Sequence, residues 1–427
     1  MKGRSQESVI RFGSDSRKLL VPAGEFAARL EPLPISPRMS PEEIVRQALE
    51  APHGCARLRD IARGKRTAAV LVPGKDRVAG ADTYLPLLLD ELNAGGIADE
   101  HIEAFLATGT HAKHSTEEAV DLLGQEATSR IRWTEHDCLD EAGLVNVGLT
   151  SYGTQVSFNR GVLDADVKVL TGRIIPHYFA GFGGGRKALL PGVAGFRSIL
   201  DNHRLTLHRQ EGIHPAVRPC RLAGNPVHLD MLEAAHMVDG VFVLNTLLNT
   251  EHQIIGVFAG ELAASHAAGC AEAEGIFQVN VPEPLDALIT SAGGTPYDCN
   301  FMQALKALFN VQEMVRPGGA VLWVAECPGG IKNGFLRWGP VELDRQLERE
   351  VRLDYDLTGH NSIMLRRLLR KVRIALWSTL PDDEVRTMGI EPTHSLDEGV
   401  EWLSKTCRKN FRYGVIPFAN VTYATTR

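Results

Sequence analysis

Apolar and polar positions along this chain follow two periods that alternate in a regular order. Ala68 to Val72 is an unbroken apolar run, the pattern of a strand buried on both faces. The polar loop Pro73-Gly74-Lys75-Asp76-Arg77 follows. Tyr84 to Asn93 then repeats its apolar residues at helical spacing, with a stop near Gly95. Further strands are predicted over Glu103 to Ala107, running into Thr108-Gly109-Thr110-His111, and over Val167 to Leu170. Two helix starts are explicit. Ser40-Pro41-Glu42-Glu43 and Ser115-Thr116-Glu117-Glu118 each set a serine three residues before a glutamate, the spacing of a capping box. Before them, Ser8–Phe12 and Lys18–Val21 suggest a small hairpin.

The same alternation continues downstream. Asn225 to Met237 reads as a helix, Val241 to Asn245 and Gln253 to Phe258 as strands, and Leu262 to Phe277 as a long alanine-rich helix. Val279-Asn280-Val281-Pro282-Glu283-Pro284 breaks the pattern with two prolines and marks a domain boundary. Beyond it come a strand over Asp286 to Thr290, a helix from Phe301 to Val315 and a strand from Ala320 to Val324. This pattern predicts an α/β protein of two domains, each an α/β sandwich on a mainly parallel sheet. Residues 1–281 form the first and 285–410 the second, with a final strand within 411–427 expected to return to the first.

Composition narrows the function classes. A length of 427 residues suits two ordinary domains, and 44% hydrophobic with 23% charged residues is that of a globular protein. A net charge of -6, with lysine and arginine dispersed, argues against nucleic acid or an anionic membrane as partner. The cluster Arg366, Arg367, Arg370, Lys371 and Arg373 reads as the decoration of a helix face. Seven scattered cysteines without a C-x-x-C pair indicate neither a disulfide framework nor a zinc ribbon, and fit a reducing cytoplasm. No apolar run is long enough to span a bilayer, and the polar start MKGRSQESVIRFG is not a signal peptide.

Candidate chemistry concentrates between Gly172 and His203. There His177, then Gly181, Gly183, Gly184 and Gly185, precede Arg186 and Lys187. Glycines so dense let a backbone approach a ligand and present N–H groups to an anion. Arg186 and Ala188 flank the lysine where a Walker loop needs Gly and Ser or Thr, so triphosphate binding is unsupported. A dinucleotide fingerprint can be forced onto Gly183, Gly185 and Ala188, but it does not follow its strand directly. Arg77, His111 and His177 each lie just beyond a predicted strand, where ligands gather in open parallel sheets. His114 reads as a bystander, since H-x-x-H alone is a weak metal signal. Gln303 and Lys306 share a helix face near its N-terminus, a place suited to a carboxylate.

His177-x-x-Ala180-Gly181-x-Gly183-Gly184-x-x-Lys187-x-x-x-Pro191-Gly192, with His203 beyond, resembles the signature of the nickel-dependent lactate racemase family. The resemblance implies a nickel-pincer nucleotide cofactor, a pyridinium mononucleotide with two sulfur-bearing arms. Lys187 would be its covalent attachment point, His203 the protein's nickel ligand, and Gly183, Gly184 and Gly185 its loop. It also implies His111 and His177 as paired catalytic bases, and Arg77, Gln303 and Lys306 as the holders of a substrate carboxylate. The implied reaction is racemisation of a 2-hydroxy acid by reversible hydride transfer through a 2-keto acid, in a cleft between the domains. Cofactor-building proteins would load the enzyme. Gly74 stands where the family usually carries an aspartate, three positions before the arginine. That departure keeps a larger 2-hydroxy acid, or C2 epimerisation of a sugar acid, in view. A nicotinamide-dependent oxidoreductase and a non-catalytic carrier of the cofactor are the rival readings.

Overall fold

The computed structural model describes residues 8–21, 24–340 and 344–426; the first seven residues of the polar N-terminal stretch lie outside them. Two six-stranded sheets organise the chain. In the first, Ile254–Gly260, Val241–Leu248, Val167–Arg173, Ala68–Pro73, Ile102–Ala107 and Arg132–Glu135 lie side by side in that order. All neighbours are parallel except the edge pair Ile254–Gly260 and Val241–Leu248. Every residue of Val167–Arg173 is buried, as the apolar run predicts for a central strand. In the second sheet the order is Glu391–Thr393, Arg373–Trp377, Val315–Val324, Leu285–Ser291, Arg412–Ile416 and Glu25–Arg29, all parallel.

Both predicted capping boxes form. Ser40 Oγ accepts from the Glu43 amide while the Glu43 carboxylate accepts from the Ser40 amide, and Ser115 and Glu118 repeat the exchange. Each box satisfies two amide groups that a helix start would otherwise leave unpaired.

Strand partners depart from the sequence reading at both chain ends. Glu25–Arg29 pairs with Arg412–Ile416, and Ile10 and Leu19 of the N-terminal hairpin enter the core of the second sheet. The expected final strand is two strands. Arg412–Ile416 belongs to the second sheet, and Tyr423–Thr426 pairs with Gln278–Val281, which precedes the prolines. Alternation reveals that a segment is a strand but not which distant edge receives it. The predicted helix from Phe301 to Val315 ends at Val311, because Val315 already begins the next strand.

In each sheet the chain leaves its central strand in opposite directions. The first sheet reverses between Ala68–Pro73 and Val167–Arg173, the second between Leu285–Ser291 and Arg412–Ile416. A crevice opens beyond the strand ends at such a reversal. The halves also share one apolar core that holds Tyr178 and Phe179 together with Leu305 and Phe309. The rings of Tyr178 and Phe309 meet at 5.5 Å. No disulfide joins the seven cysteines, and no described helix is long and apolar enough to cross a membrane.

Candidate active site

The loops beyond the reversal points enclose a cavity of about 240 Å³. Arg77, His111, His177, Gly183, Gly184, Lys187, His203, Gln303 and Lys306 all line it, although they lie as much as 229 positions apart (Arg77 to Lys306). Gly185 does not. Its amide donates to Asn245 Oδ1 at 2.6 Å, and an added Cβ would stand 2.7 Å from Val243 Cγ1. This glycine packs the loop onto the sheet and lines no part of the cavity. With that amide committed, the forced dinucleotide fingerprint loses a donor it needs. Gly184 has φ +123°, and a Cβ there would meet His266 Cδ2 at 2.5 Å. Gly185→Ala is expected to destabilise the fold by about 1–3 kcal/mol through overpacking, read from chemical denaturation of the apoprotein.

The carboxylate-binding side is assembled from both sheets. Asn300 caps the helix Phe301–Val311 by accepting from the Gln303 amide at 3.0 Å, which places Gln303 in the first turn and Lys306 one turn later. Gln303 Oε1 accepts from Lys306 Nζ and from Arg77 Nη1, the latter at 3.4 Å. Gln303 Nε2 donates to Asp76 Oδ2 at 3.2 Å. Burial and the neighbouring Arg77 hold the Lys306 amine well below its ordinary range. An anion entering between Arg77 and Lys306 would restore that charge.

Asp76 went unremarked in the sequence, yet it organises His111. The ring Nδ1 of His111 lies 3.0 Å from Asp76 Oδ2, and its Nε2 lies 3.4 Å from Arg77 Nη2. The hydrogen bond from His111 holds the Asp76 carboxyl below the usual carboxylate range, so the carboxylate accepts from Nδ1–H and the neutral ring keeps its lone pair on Nε2. Burial pulls His111 down to about 4, against the opposing pull of Asp76. For His177, the Ala180 amide lies 3.3 Å from its Nδ1. Burial, then Lys187, push its pKa well down. Asp76→Asn is expected to lower turnover ~10²-fold, because the amide no longer dictates the His111 tautomer; steady-state kinetics of the loaded protein checks it.

Gly74 packs closely against His114. A Cβ there would stand 3.1 Å from Cε1 of His114. His114 is clamped between Glu135, at 2.7 Å from Nδ1, and the Lys75 amide, which donates to Nε2 at 2.9 Å. It is a brace beneath the loop rather than a bystander, and Asp76 is the carboxylate of that loop that lines the cavity.

Lys187 and His203 occupy the opposite wall. Lys187 Nζ lies 5.3 Å from the centre of the Phe179 ring. Burial and the adjacent Arg186 drive the amine well below the ordinary lysine range. The Arg186 guanidinium, fully buried, donates to the carbonyls of Ala180, Phe182 and Gly183 and so ties down the loop that presents Lys187. His203 sits in the last turn of the helix Phe196–Arg204, its ring 5.0 Å from that of Phe179. Its Nδ1 is buried without a hydrogen-bond partner among the described residues. His360, also on the wall and missed in the sequence, is already engaged: its Nδ1 lies 2.9 Å from the Tyr355 hydroxyl.

Residues 12–214 match the lactate racemase N-terminal domain family and residues 281–420 the lactate racemase C-terminal domain family. The lactate racemase of Thermoanaerobacterium thermosaccharolyticum is 31% identical over 386 residues, 89% of each chain. The chain belongs to the lactate racemase family. The lactate racemase of Lactiplantibacillus plantarum is 29% identical over 375 residues, 85% of this chain and 86% of that one. The T. thermosaccharolyticum lactate racemase apoprotein structure superposes with a TM-score of 0.89 at 28% identity, covering 98% of this chain and 100% of that one. A Thermotoga maritima structure, 16% identical with a TM-score of 0.70 over 93% of this chain and 100% of its own, shares the fold. As a lactate racemase relative, the protein is an isomerase of the racemase type.

The wall residues fit the nickel-pincer nucleotide that this family implies. Lys187 offers an enclosed amine for covalent attachment, its protonation disfavoured by burial and by the adjacent Arg186. Among the described residues no group of three or more His, Cys, Asp or Glu converges to hold a metal ion. His203, whose Nδ1 has no hydrogen-bond partner among the described residues, would be the imidazole that holds a metal, and the remaining donors would come with the cofactor. Sulfur and imidazole donors suit nickel.

Proposed function

We propose that the chain racemises a 2-hydroxy acid, with nickel held by His203 and a pincer nucleotide attached to Lys187. The observation that carries this reading is the convergence of Arg77, Gln303 and Lys306 with His111 and His177 on one cavity. When bound, the cofactor supplies an acceptor for the hydride on Cα.

Everything else falls to the chain's own groups. Arg77 and Lys306 pair with the substrate carboxylate, and Gln303, already bonded to both, orients them. A carboxylate-clamped 2-hydroxy acid presents its hydroxyl to one side or the other according to its configuration. His111 Nε2 takes the hydroxyl proton of one enantiomer, as the lone pair left by the Asp76 contact allows. The resulting 2-keto acid is planar at C2 and anchored through its carboxylate, so its carbonyl can turn toward the other histidine. His177, which enters this half of the cycle as imidazolium, returns a proton to the oxygen and is left neutral, and the opposite enantiomer leaves with the pair's one proton now on His111. The reverse reaction uses the histidines in the opposite order, so the pair shares one exchangeable proton. Apolar Tyr178 and Phe179 shield the reacting carbon from water. Loading by cofactor-building proteins belongs to this reading.

The test is incubation of loaded protein with single enantiomers of lactate, longer aliphatic 2-hydroxy acids, malate and gluconate in heavy water. Chiral chromatography with mass spectrometry follows configuration and isotope together. Inversion with the original hydrogen retained is expected. Inversion with deuterium at Cα would mean a carbanion route and overturn the mechanism, while nickel-loaded protein that inverts none of these acids would favour a carrier.

A further inference from the structure

The cavity is lined by more basic side chains than one carboxylate needs. Lys75, Arg77, Arg173, Lys187, Lys306 and Lys332 line it, against the single lining carboxylate of Asp76. Five of these side chains have a defined contact. Lys75 pairs with Glu118, and Arg77 and Lys306 both reach Gln303 Oε1. Arg173 donates to the Tyr297 hydroxyl, and Lys187 faces the Phe179 ring. Asp76 is itself taken up by His111 and Gln303.

Lys332 differs from all of them. It is exposed, it stands just before the short helix Asn333–Leu336, and no hydrogen bond or ion pair engages its amine among the described residues. It lines the cavity together with Met302, Lys306 and Leu357, and its charge is felt at Lys306. An ordinary surface lysine points its amine into bulk water. This one borders the cavity beside the carboxylate clamp, where a hydrated, flexible amine can meet an anionic group attached to an already clamped substrate.

We infer that Lys332 pairs with a second carboxylate on the substrate, so that the chain prefers 2-hydroxy dicarboxylates to lactate. The inference rests on the racemase reading and adds a substrate class to it. The phosphate of the cofactor is the other anion that could reach this amine, and the experiment separates the two sources.

Holoenzyme carrying Lys332→Ala or Lys332→Glu is assayed with both enantiomers of malate and of lactate. The KM for malate should rise about tenfold in Lys332→Ala and further in Lys332→Glu, with kcat retained and the lactate KM within about twofold of wild type. A readout without turnover comes from calorimetric titration of the apoprotein with each acid. Wild type should bind malate more tightly than lactate, the preference should shrink with added salt, and Lys332→Ala should abolish it. Equal effects on malate and lactate, or none on either, overturn the inference. So does a fall in the cofactor mass on Lys187 with an unchanged malate-to-lactate ratio, which assigns Lys332 to the cofactor phosphate. Wild type that inverts lactate but not malate refutes the dicarboxylate preference and leaves the racemase reading intact. Wild type that inverts no 2-hydroxy acid refutes that reading, and the apoprotein titration still decides for or against Lys332.

Discussion

His111→Ala and His177→Ala should each lose racemisation in both directions, by roughly 10²–10⁴-fold in kcat. Both directions suffer because each histidine takes the proton in one direction and returns it in the other. Chiral chromatography starting from either enantiomer checks this, and full activity in both variants would remove the histidines from the reaction. The pH profile adds a second constraint. Burial lowers His111 to about 4 in the free protein, below the ordinary histidine value of 6.5. The neutral, proton-accepting form is therefore present throughout neutral pH and is lost only as pH falls through about 4. The acid limb of kcat/KM, which reports the free enzyme, should accordingly lie near pH 4 rather than 6.5. In Asp76→Asn the group that holds the His111 pKa up is gone, so the limb should move to still lower pH even as the rate falls. A merely structural role for Asp76 would lower the rate and leave the limb in place.

The legible and illegible parts of this molecule divide along a physical line. Capping boxes at Ser40 and Ser115, the apolar run at Ala68 and the glycines after Val167–Arg173 act within a few residues, and such signals survive in a sequence read alone. Arg77, His111 and His177 stand out because each follows a strand, and the strands of a parallel sheet all point their ends one way, which brings the three to one cavity. Asp76 stood beside Arg77 in the same loop, but its role depends on His111, thirty-five residues away, and nothing local announces that contact. Gly185 shows the reverse error. A glycine in a glycine-rich loop reads as ligand-binding, while Val243 and Asn245 of the adjacent strand are what require it. The partners of Glu25–Arg29 and Tyr423–Thr426 were equally invisible, since an edge strand's neighbour is chosen by the assembled sheet.

Lys187→Met should abolish cofactor attachment and racemisation together, and should raise the melting temperature of the apoprotein. The first effect follows from the loss of the only amine in the glycine-rich loop, and intact-protein mass spectrometry after loading reads it directly. The second follows from linkage. The folded chain holds Lys187 well below the ordinary lysine value of 10.5, so below that pH the unfolded chain binds a proton that the folded chain does not. Stability therefore rises with pH between the lowered folded value and 10.5, and at neutral pH the buried amine costs stability that methionine, of similar reach and without a charge, would not. The stabilisation should shrink as the pH approaches 10.5, which separates it from a simple gain in packing. Thermal melts of wild type and Lys187→Met across that range decide the matter: a variant less stable than wild type at neutral pH would mean that the amine is charged and paired in the folded protein. An amine whose protonation the folded chain disfavours is what covalent capture needs, because only the unprotonated form has the lone pair that makes the bond.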